Sequence, residues 1–483
     1  MYFPDMTEQQ KKGVSNSVLW SAIERFSVQG IQFILNIIIA RLVTPTDYGL
    51  IAMLGIFLAI AQTFIDSGFS NALIQKQDRN ETDYSTVFYF NILVGIATYL
   101  ILFLSSPYIA GFYHEPQLEI VTKVVGLNLV INSFTIVQRA KLIIELNFKL
   151  QAILALTAVI TSGIIGVYLA YNGLGVWALV FQALLNNLLN SLLLVIFTKW
   201  KPKRIFSYSS FKHLFSFGSK LLAGALLHTV YMNSYTLIIG RFFSPSDLGF
   251  FNRANTIAQY VSTNFTNIIS RVTYPIECKI QNDNRELQDK FFLFLRMATF
   301  VIFPLMVGVC VLAEPLVRLV LTDKWIPAIP YLQIMCVAYM WDPVQRMSWD
   351  LLNVKRRSDY SLKSEIIKKI VAFGILFATC WSNIYVMCWG LVLYALIDIF
   401  IITQFTKRLL EEVNYWQVLK KILPNLILSA LMGGAVYFVS GLFSHIWEKI
   451  LYGFLTGVIF YAGCSFLLGY KEIKLLVTTY LKK

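Results

Sequence analysis

Three cationic side chains lie inside strongly apolar stretches of this sequence: Arg25, Lys220 and Arg253. On insertion scales, a cation at the centre of a bilayer costs about 2.5–3.5 kcal/mol, so each of these residues needs a partner, water or an anionic ligand. Arginine offers a planar fork of donors that fits phosphate oxygens, and lysine offers a compact charge. The three residues are therefore candidates to hold a polyanionic group.

The apolar segments that contain these cations also carry polar residues along one helical face. Such stripes predict a water-filled cavity, although buried Asn, Gln and Ser side chains also join helices to one another through hydrogen bonds. Ionisable residues within a membrane are functional hypotheses by default, which favours the cavity. The candidate substrate-binding residues are Arg25, Gln29, Gln32 and Asn36 in segment 15–41, Lys220 in segment 211–240, and Arg253, Asn255 and Gln259 in segment 248–270.

Four acidic residues within apolar segments, or at their ends, are candidates to carry a coupling proton or sodium ion: Glu24, Asp66, Asp342 and Asp398. Charges of this kind are often simply paired with a neighbouring cation, and Asp66 has the sequence setting of a helix end. We identify no catalytic residue. The six cysteines fall at no metal-ligand spacing, so we expect neither a metal site nor a cofactor.

Composition places these residues in a membrane protein with many spans. Hydrophobic residues make up 57% of the 483 residues, charged residues make up 14%, and mean hydropathy is +0.62; soluble domains have about 25% charged residues. A helical span needs about 20 apolar residues, and such stretches predict an all-α integral membrane fold of about fourteen transmembrane helices. They lie near residues 15–41, 48–68, 84–105, 118–138, 151–171, 175–198, 211–240, 248–270, 290–312, 328–345, 360–381, 384–406, 421–441 and 449–469.

The distribution of Lys and Arg over the connections predicts the orientation of the chain. With the N-terminus inside, 31 of the 41 Lys and Arg residues fall on the cytoplasmic side and six fall outside. This is the bias of the positive-inside rule, so both termini are predicted to be cytoplasmic. The net charge of +14 then reflects topology and contact with anionic membrane lipids, and we expect no nucleic-acid partner.

A repeat divides the chain. Residues 38–49 and 238–249 share six identities at an offset of 200 positions, so both copies have the same orientation and each copy contains an even number of spans. We predict an N-terminal six-helix lobe at 1–207, a second six-helix lobe at 208–408 and two additional helices at 409–483.

The repeated motif itself has the composition of a helix start. At 44–47 and again at 244–247, a hydroxyl residue precedes Pro, and Asp follows two positions later. This order suits an N-cap, a first helical residue and a first-turn carboxylate, so the motif has a structural role. Each lobe also contains an amphipathic connection, 137–149 and 344–355, which we expect along the cytoplasmic membrane surface.

Five motifs of this sequence together point to a known family: WSAIER (20–25), IIIARLVTPTDYGL (37–50), FIDSGFSNALIQKQDRNETDYSTVFYFN (64–91), SPYIAGFY (106–113) and RVTYPIECKIQNDN (271–284). They resemble the Wzx-type polysaccharide flippases of the MOP (multidrug/oligosaccharidyl-lipid/polysaccharide) exporter superfamily. The resemblance covers nearly the whole chain and is densest between 13 and 150. It implies a V-shaped pair of six-helix lobes with two extra helices, alternating access, and export of an undecaprenyl-diphosphate-linked oligosaccharide.

The resemblance also bears on single residues. In the related lipid II flippases, arginines of the first helix are thought to hold the diphosphate, and Arg25 corresponds to them by helix and stripe. Arg253 is a looser match, and the resemblance gives no clear support for Lys220. The expected substrate is a lipid-linked repeat unit of O-antigen, capsule or exopolysaccharide. The expected location is the bacterial inner membrane, with H⁺ or Na⁺ as a possible coupling ion and other export components as possible partners.

Three alternatives stay open. A cation-coupled drug or metabolite exporter of the same superfamily would need an acidic cavity, whereas the cations here favour an anionic substrate. A membrane glycosyltransferase or ligase would need a catalytic acid or base on an outer loop, where the acids, such as Glu115 and Glu314, are scattered. A scaffold for an export complex has no diagnostic motif, so the sequence does not exclude it.

Overall fold

The computed structural model describes residues 27–66, 69–76, 78–145, 147–470 and 472. These residues form helices and short connections without any β-strand, as the all-α class predicts. In a bilayer, a helix satisfies every backbone N–H and C=O within its own segment. The described part of α1 is Ser27–Leu42; the next helices are α2 (Pro45–Asp66), α3 (Phe69–Gln75), α4 (Glu81–Tyr113), α5 (Gln117–Ser133), α6 (Ile136–Ile144), α7 (Phe148–Tyr171), α8 (Val176–Thr198), α9 (Tyr208–Phe242), α10 (Pro245–Lys279), α11 (Asn284–Val311), α12 (Ala313–Leu321), α13 (Ile329–Tyr339), α14 (Asp342–Val354), α15 (Ser358–Thr379), α16 (Ile384–Lys407), α17 (Tyr415–Gly441) and α18 (Ile446–Leu467), with a 3₁₀ helix at Asp323–Ala328.

The chain divides into two compact units, Met1–Gly249 and Phe250–Lys483. The first unit contains α1 to α9 and the first residues of α10, and the second contains the rest of α10 and α11 to α18. The division at 207 and 408 follows the sequence repeat and stays a prediction.

Eight described helices are long and apolar enough to cross a membrane, or nine if the bent pair α5 and α6 forms one span. The number of fourteen spans is therefore not confirmed. The expected spans in α10 and α15 are long enough, but their polar and charged residues exclude them from this number; α9 includes side chains outside the described part of the structure. The helices that pass are α2, α4, α7, α8, α11, α16, α17 and α18.

Two of the expected spans are broken. The segment 118–138 is divided between α5 and α6, which are bent by 42° relative to each other. The segment 328–345 is divided between α13 and α14. Pro343 explains this second break, because a proline fits the first turn of a helix but disrupts its interior.

The short helices α6 and α14 are the two predicted amphipathic connections. Each buries apolar residues, including Val137 and Leu142 on α6 and Val344 and Leu351 on α14. Their existence as separate amphipathic helices is confirmed, and their location along the membrane surface stays a prediction.

Both copies of the repeated motif start helices as predicted. The Thr44 hydroxyl accepts the backbone N–H of Asp47 at 3.3 Å, and the Asp47 carboxylate accepts the backbone N–H of Thr44 at 3.2 Å. Ser244 and Asp247 form the same pair of bonds at 3.1 and 3.4 Å. The proline after each capping residue is the first residue of α2 or α10, so the capping role is confirmed.

The connection between α8 and α9, residues 199–207, is fastened to the start of α4. The indole N–H of Trp200 donates to Glu81 Oε2 at 2.9 Å. Two backbone N–H groups of the connection donate to the hydroxyls of Ser85 and Thr86, at 3.0 and 3.1 Å. The connection is therefore a structured part of the first unit.

Candidate functional site

Helix α1 carries the polar stripe predicted for the first span. Gln29 is half-buried, whereas Gln32 and Asn36 are exposed, and their spacing places the three on one face of the helix. Arg25, which would extend this stripe, and the ion-coupling candidate Glu24 lie outside the described residues.

Arg253 on α10 is held against an aromatic side chain of the second unit. Its guanidinium lies over the face of Trp325, 5.4 Å from the ring centroid. Trp325 is fully buried, and Phe250 meets it edge-on at 6.0 Å between ring centroids. The negative face of an indole attracts a cation, so this stack orients the Arg253 head group. Lys220 lies in α9, but its side chain is outside the described part of the structure.

Polar residues farther along α10 face α13 and the start of α14. Asn255 Oδ1 accepts the hydroxyl of Tyr339 at 2.7 Å. The Ser262 hydroxyl lies 2.7 Å from the Tyr339 carbonyl oxygen and 2.8 Å from the Asp342 carboxylate, and Gln259 is half-buried. At Asn255 and Ser262 the stripe thus joins helix to helix, which is the alternative function of such residues.

Asp66 belongs to an amide network in the first unit. Gln62 Nε2 donates to Asp66 Oδ1 at 2.9 Å, and Gln62 Oε1 accepts the side-chain amide of Asn132 at 3.1 Å. Arg139 on α6 is close enough to attract the Asp66 carboxylate. Asp66 is the last residue of α2, as its sequence setting predicts.

The second unit buries a charged group between α15 and α16. Lys368 Nζ lies 3.2 Å from Asp398 Oδ1 and 2.6 Å from Glu365 Oε1. The side chains of Lys368 and Asp398 are only 7% and 6% exposed. The Asp342 carboxyl group is close enough to Asp398 for the two to interact electrostatically. The structure therefore brings together two of the four ion-coupling candidates and adds a lysine.

Sequence analysis missed Lys368. The residue stands near the start of the expected span 360–381, where a lysine cannot be distinguished from the cytoplasmic charges before it. Its partner Asp398 lies on the next helix, and only the packing of α15 against α16 shows the pair. The sequence did contain one indication of the pair, since a lysine and an aspartate occur in two adjacent predicted spans.

A second missed group lies at the C-terminal end of α10, beyond the expected span 248–270. Asp350 on α14 accepts the Ser270 hydroxyl at 2.5 Å and pairs with Arg346 at 3.2 Å. Glu277 is buried, and its burial, together with the nearby Asp350 carboxylate, raises the pKa of Glu277 to about 8. The bond from Ser270 to Asp350 ties α10 to α14 beside the buried Glu277.

Residues 38–330, more than half of the chain, match the model of a family described as polysaccharide biosynthesis protein. The teichuronic acid biosynthesis protein TuaB of Bacillus subtilis (strain 168) is 25% identical over 450 residues, which cover 90% of each chain. The lipopolysaccharide biosynthesis protein WzxC of Escherichia coli (strain K12) is 28% identical over 355 residues, covering 72% of this chain and 71% of WzxC.

Solved structures share the fold. The lipid II flippase MurJ, in an inward closed conformation, has a TM-score of 0.76 at 15% identity and covers 93% of this chain and 99% of MurJ. An inward-facing multidrug resistance MATE family transporter of the MOP superfamily has a TM-score of 0.62 at 15% identity, covering 81% of this chain and 98% of that transporter.

These matches extend along most of the chain and agree with its motifs. They confirm the all-α membrane fold and the resemblance to the Wzx-type flippases of the MOP superfamily. The chain belongs to the family of polysaccharide biosynthesis proteins.

Proposed function

We propose that this protein flips a lipid-linked oligosaccharide across the bacterial inner membrane by alternating access. The observation that carries the proposal is the similarity to TuaB, a protein named for teichuronic acid biosynthesis, because it extends along 90% of both chains. The shared fold with a lipid II flippase supports the same kind of cargo.

The cargo in this proposal is an undecaprenyl-diphosphate-linked repeat unit. Arg253, oriented by Trp325, supplies a guanidinium that can bind diphosphate oxygens. Arg25 and Lys220 are proposed to add positive charge, and the polar stripe of α1 to line the cavity. This basic lining argues against the drug-exporter alternative, whose hydrophobic cations would be repelled.

We also propose that transport involves no covalent step, which distinguishes this protein from a glycosyltransferase or ligase. The relatives are named for transport or biosynthesis of a polymer.

In this proposal both termini lie in the cytoplasm, and other components of polysaccharide export are candidate partners.

Energy coupling is assigned to the second unit. The buried pair of Lys368 and Asp398, with Asp342 near it, can exist in two charge states if one carboxylate takes up a proton. A proton fits this group better than Na⁺, because the Lys368 ammonium already occupies the cationic position beside Asp398. Glu24 and Asp66 remain weaker candidates.

Complementation tests the proposal. A strain that lacks its polysaccharide flippase receives the wild type, Arg253→Ala or Arg271→Ala, and lipid-linked intermediates are measured in each leaflet. Arg271 is a matched control because it is an exposed arginine on the same helix. Loss of a charge-assisted bond should slow export at least about ten-fold in Arg253→Ala, whereas Arg271→Ala should export like the wild type.

Other outcomes redirect the proposal. Equal export by both variants would remove Arg253 from the binding site. A wild type that clears no intermediate but extrudes hydrophobic cations would favour the drug-exporter alternative.

A further inference from the structure

The two copies of the repeated motif contact each other directly within the first unit. A Cβ atom built on Gly49 would overlap the carbonyl oxygen of Pro245, and one built on Gly249 would overlap the carbonyl oxygen of Pro45. The contact is therefore reciprocal, since the glycine of each copy faces the proline carbonyl of the other. We call these four residues the glycine seam.

Only glycine fits at the two positions. The opposing atoms belong to the backbone, so they cannot move aside as the end of a flexible side chain can. Gly55, also on α2, is different, because its nearest neighbour would be Asn233 Oδ1 at 3.8 Å, an ordinary contact. The need for glycine thus arises from the seam and not from α2 in general.

Backbone conformation gives no other reason for these glycines. Both lie inside helices, where glycine costs about 0.5–1 kcal/mol relative to alanine. Close approach of the two helix starts offsets that cost. Gly49 and Gly249 are buried, so the seam excludes solvent at this point.

The backbones at the seam approach closely, but the contacts between them are individually weak. Contacts between a Cα–H group and a carbonyl oxygen contribute about 0.5–1 kcal/mol each. The first turn of each helix start is fixed by the pair of bonds at Thr44 and Asp47 or at Ser244 and Asp247. Such a contact can open under the differential binding energy that a ligand supplies.

We propose that the glycine seam is the outer gate of the transport pathway, closed in this structure and opened when the cargo leaves. This inference rests on the proposed function, since a gate requires alternating access. The charge distribution predicts that the connections at 43–44 and 243–244 lie on the outer side, and the seam lies at the helix starts that follow them. The two copies of the motif that repeats most clearly in the sequence thus contact each other where the gate closes.

Crosslinking tests the gate without a destabilising substitution. Thr46→Cys and Ser246→Cys, each adjacent to a seam proline, are combined in a chain whose six native cysteines are replaced, and membranes are treated with a short bifunctional maleimide. We expect a crosslink within the chain that lowers export at least about ten-fold, whereas each single-cysteine chain, treated alike, exports normally. A crosslinked chain with full export would overturn the gate.

Glycine substitutions test the role of close approach. Gly49→Ala and Gly249→Ala should each lower the crosslink yield at least about ten-fold, because overpacking opposes the closed contact, and export should fall with it. Gly55→Ala should change neither quantity. Monodisperse elution of all three variants would show that they are folded. If Gly49→Ala crosslinks and exports like Gly55→Ala, the seam is not the gate.

The two measurements separate this inference from the proposed function. Crosslink yield is read without cargo, so it reports whether the two copies meet even if the chosen glycan is not exported. A wild type that exports no lipid-linked oligosaccharide would contradict the proposed function, whereas absence of the crosslink would contradict the seam.

Discussion

Within the expected spans, the helices of the first unit are joined across their buried faces by amide side chains, whereas α15 and α16 of the second unit are joined by charges. Asn187 Nδ2 donates to Asn128 Oδ1 at 2.8 Å between α8 and α5, and Gln62 and Asn132 form the equivalent link between α2 and α5. Between α15 and α16 of the second unit, the link is the pair of Lys368 and Asp398.

This difference indicates which groups the scaffold needs. A buried ion pair contributes little net stability, because the desolvation of two charges opposes their attraction. The first unit shows that amides are enough to join such helices. Charges in the second unit therefore call for a functional explanation, which is why we assign energy coupling to them.

The largest effect is expected from Lys368→Met. Without its cation, Asp398 becomes an uncompensated buried charge, so the free energy of unfolding should fall by about 3–5 kcal/mol and export should be lost. Thermal unfolding of the purified protein and complementation measure the two effects. The double variant Lys368→Met/Asp398→Leu should regain most of the stability but no export. Wild-type export by the double variant would show that the pair only joins α15 to α16. The two units would then not differ in the role of their interhelical links.

A smaller, pH-dependent effect is expected from Glu277→Gln. The pKa of Glu277 is raised from 4.5 to about 8 in the folded chain, so between these values the folded chain holds a proton that the unfolded chain has released. The stability that this bound proton gives the folded chain is complete below pH 4.5 and is lost as pH rises through about 8. Glu277→Gln should therefore be more stable than the wild type by about 1–3 kcal/mol at pH 8 and equal to it at pH 4.5.

Melting temperature measured against pH tests this prediction. Glu411→Gln, an exposed acid of the second unit, serves as the control and should follow the wild-type curve. Identical curves for Glu277→Gln and the wild type would show that Glu277 is ionised in the folded protein.

The smallest effect is expected from Asn187→Ala. The substitution removes one neutral hydrogen bond in the first unit, which should lower the free energy of unfolding by about 0.5–1.5 kcal/mol. Export should stay close to the wild-type rate, because no charge is involved. Complementation and melting temperature measure both effects. Loss of export as complete as that of Lys368→Met would show that the amides of the first unit are functional as well.

Local features of this fold could be predicted from the sequence. The caps at Thr44 and Ser244 and the amphipathic helices α6 and α14 depend on neighbouring residues, and a short stretch of sequence contains the information. The number of fourteen spans is not confirmed, because α10 and α15 bear polar and charged residues, such as Ser262 and Lys368, that contact partners on other helices.

The candidate site shows the same limit. The sequence identified Arg253, Asp342 and Asp398, since each is a charge in an apolar segment. It could not show that Trp325 supports Arg253 or that Lys368 neutralises Asp398. Both pairs join residues distant in the chain, and such contacts depend on how whole helices pack.

The fastening of residues 199–207 to α4 bears on how a duplicated gene becomes one protein. When two copies are fused, the segment that joins them is new, so at first it has no contacts that evolved in either copy. Under the predicted division at 207, residues 199–207 are this joint, and Trp200 and the backbone of the joint bond to Glu81, Ser85 and Thr86. In that division, the second copy begins from a connection that is fixed to the first.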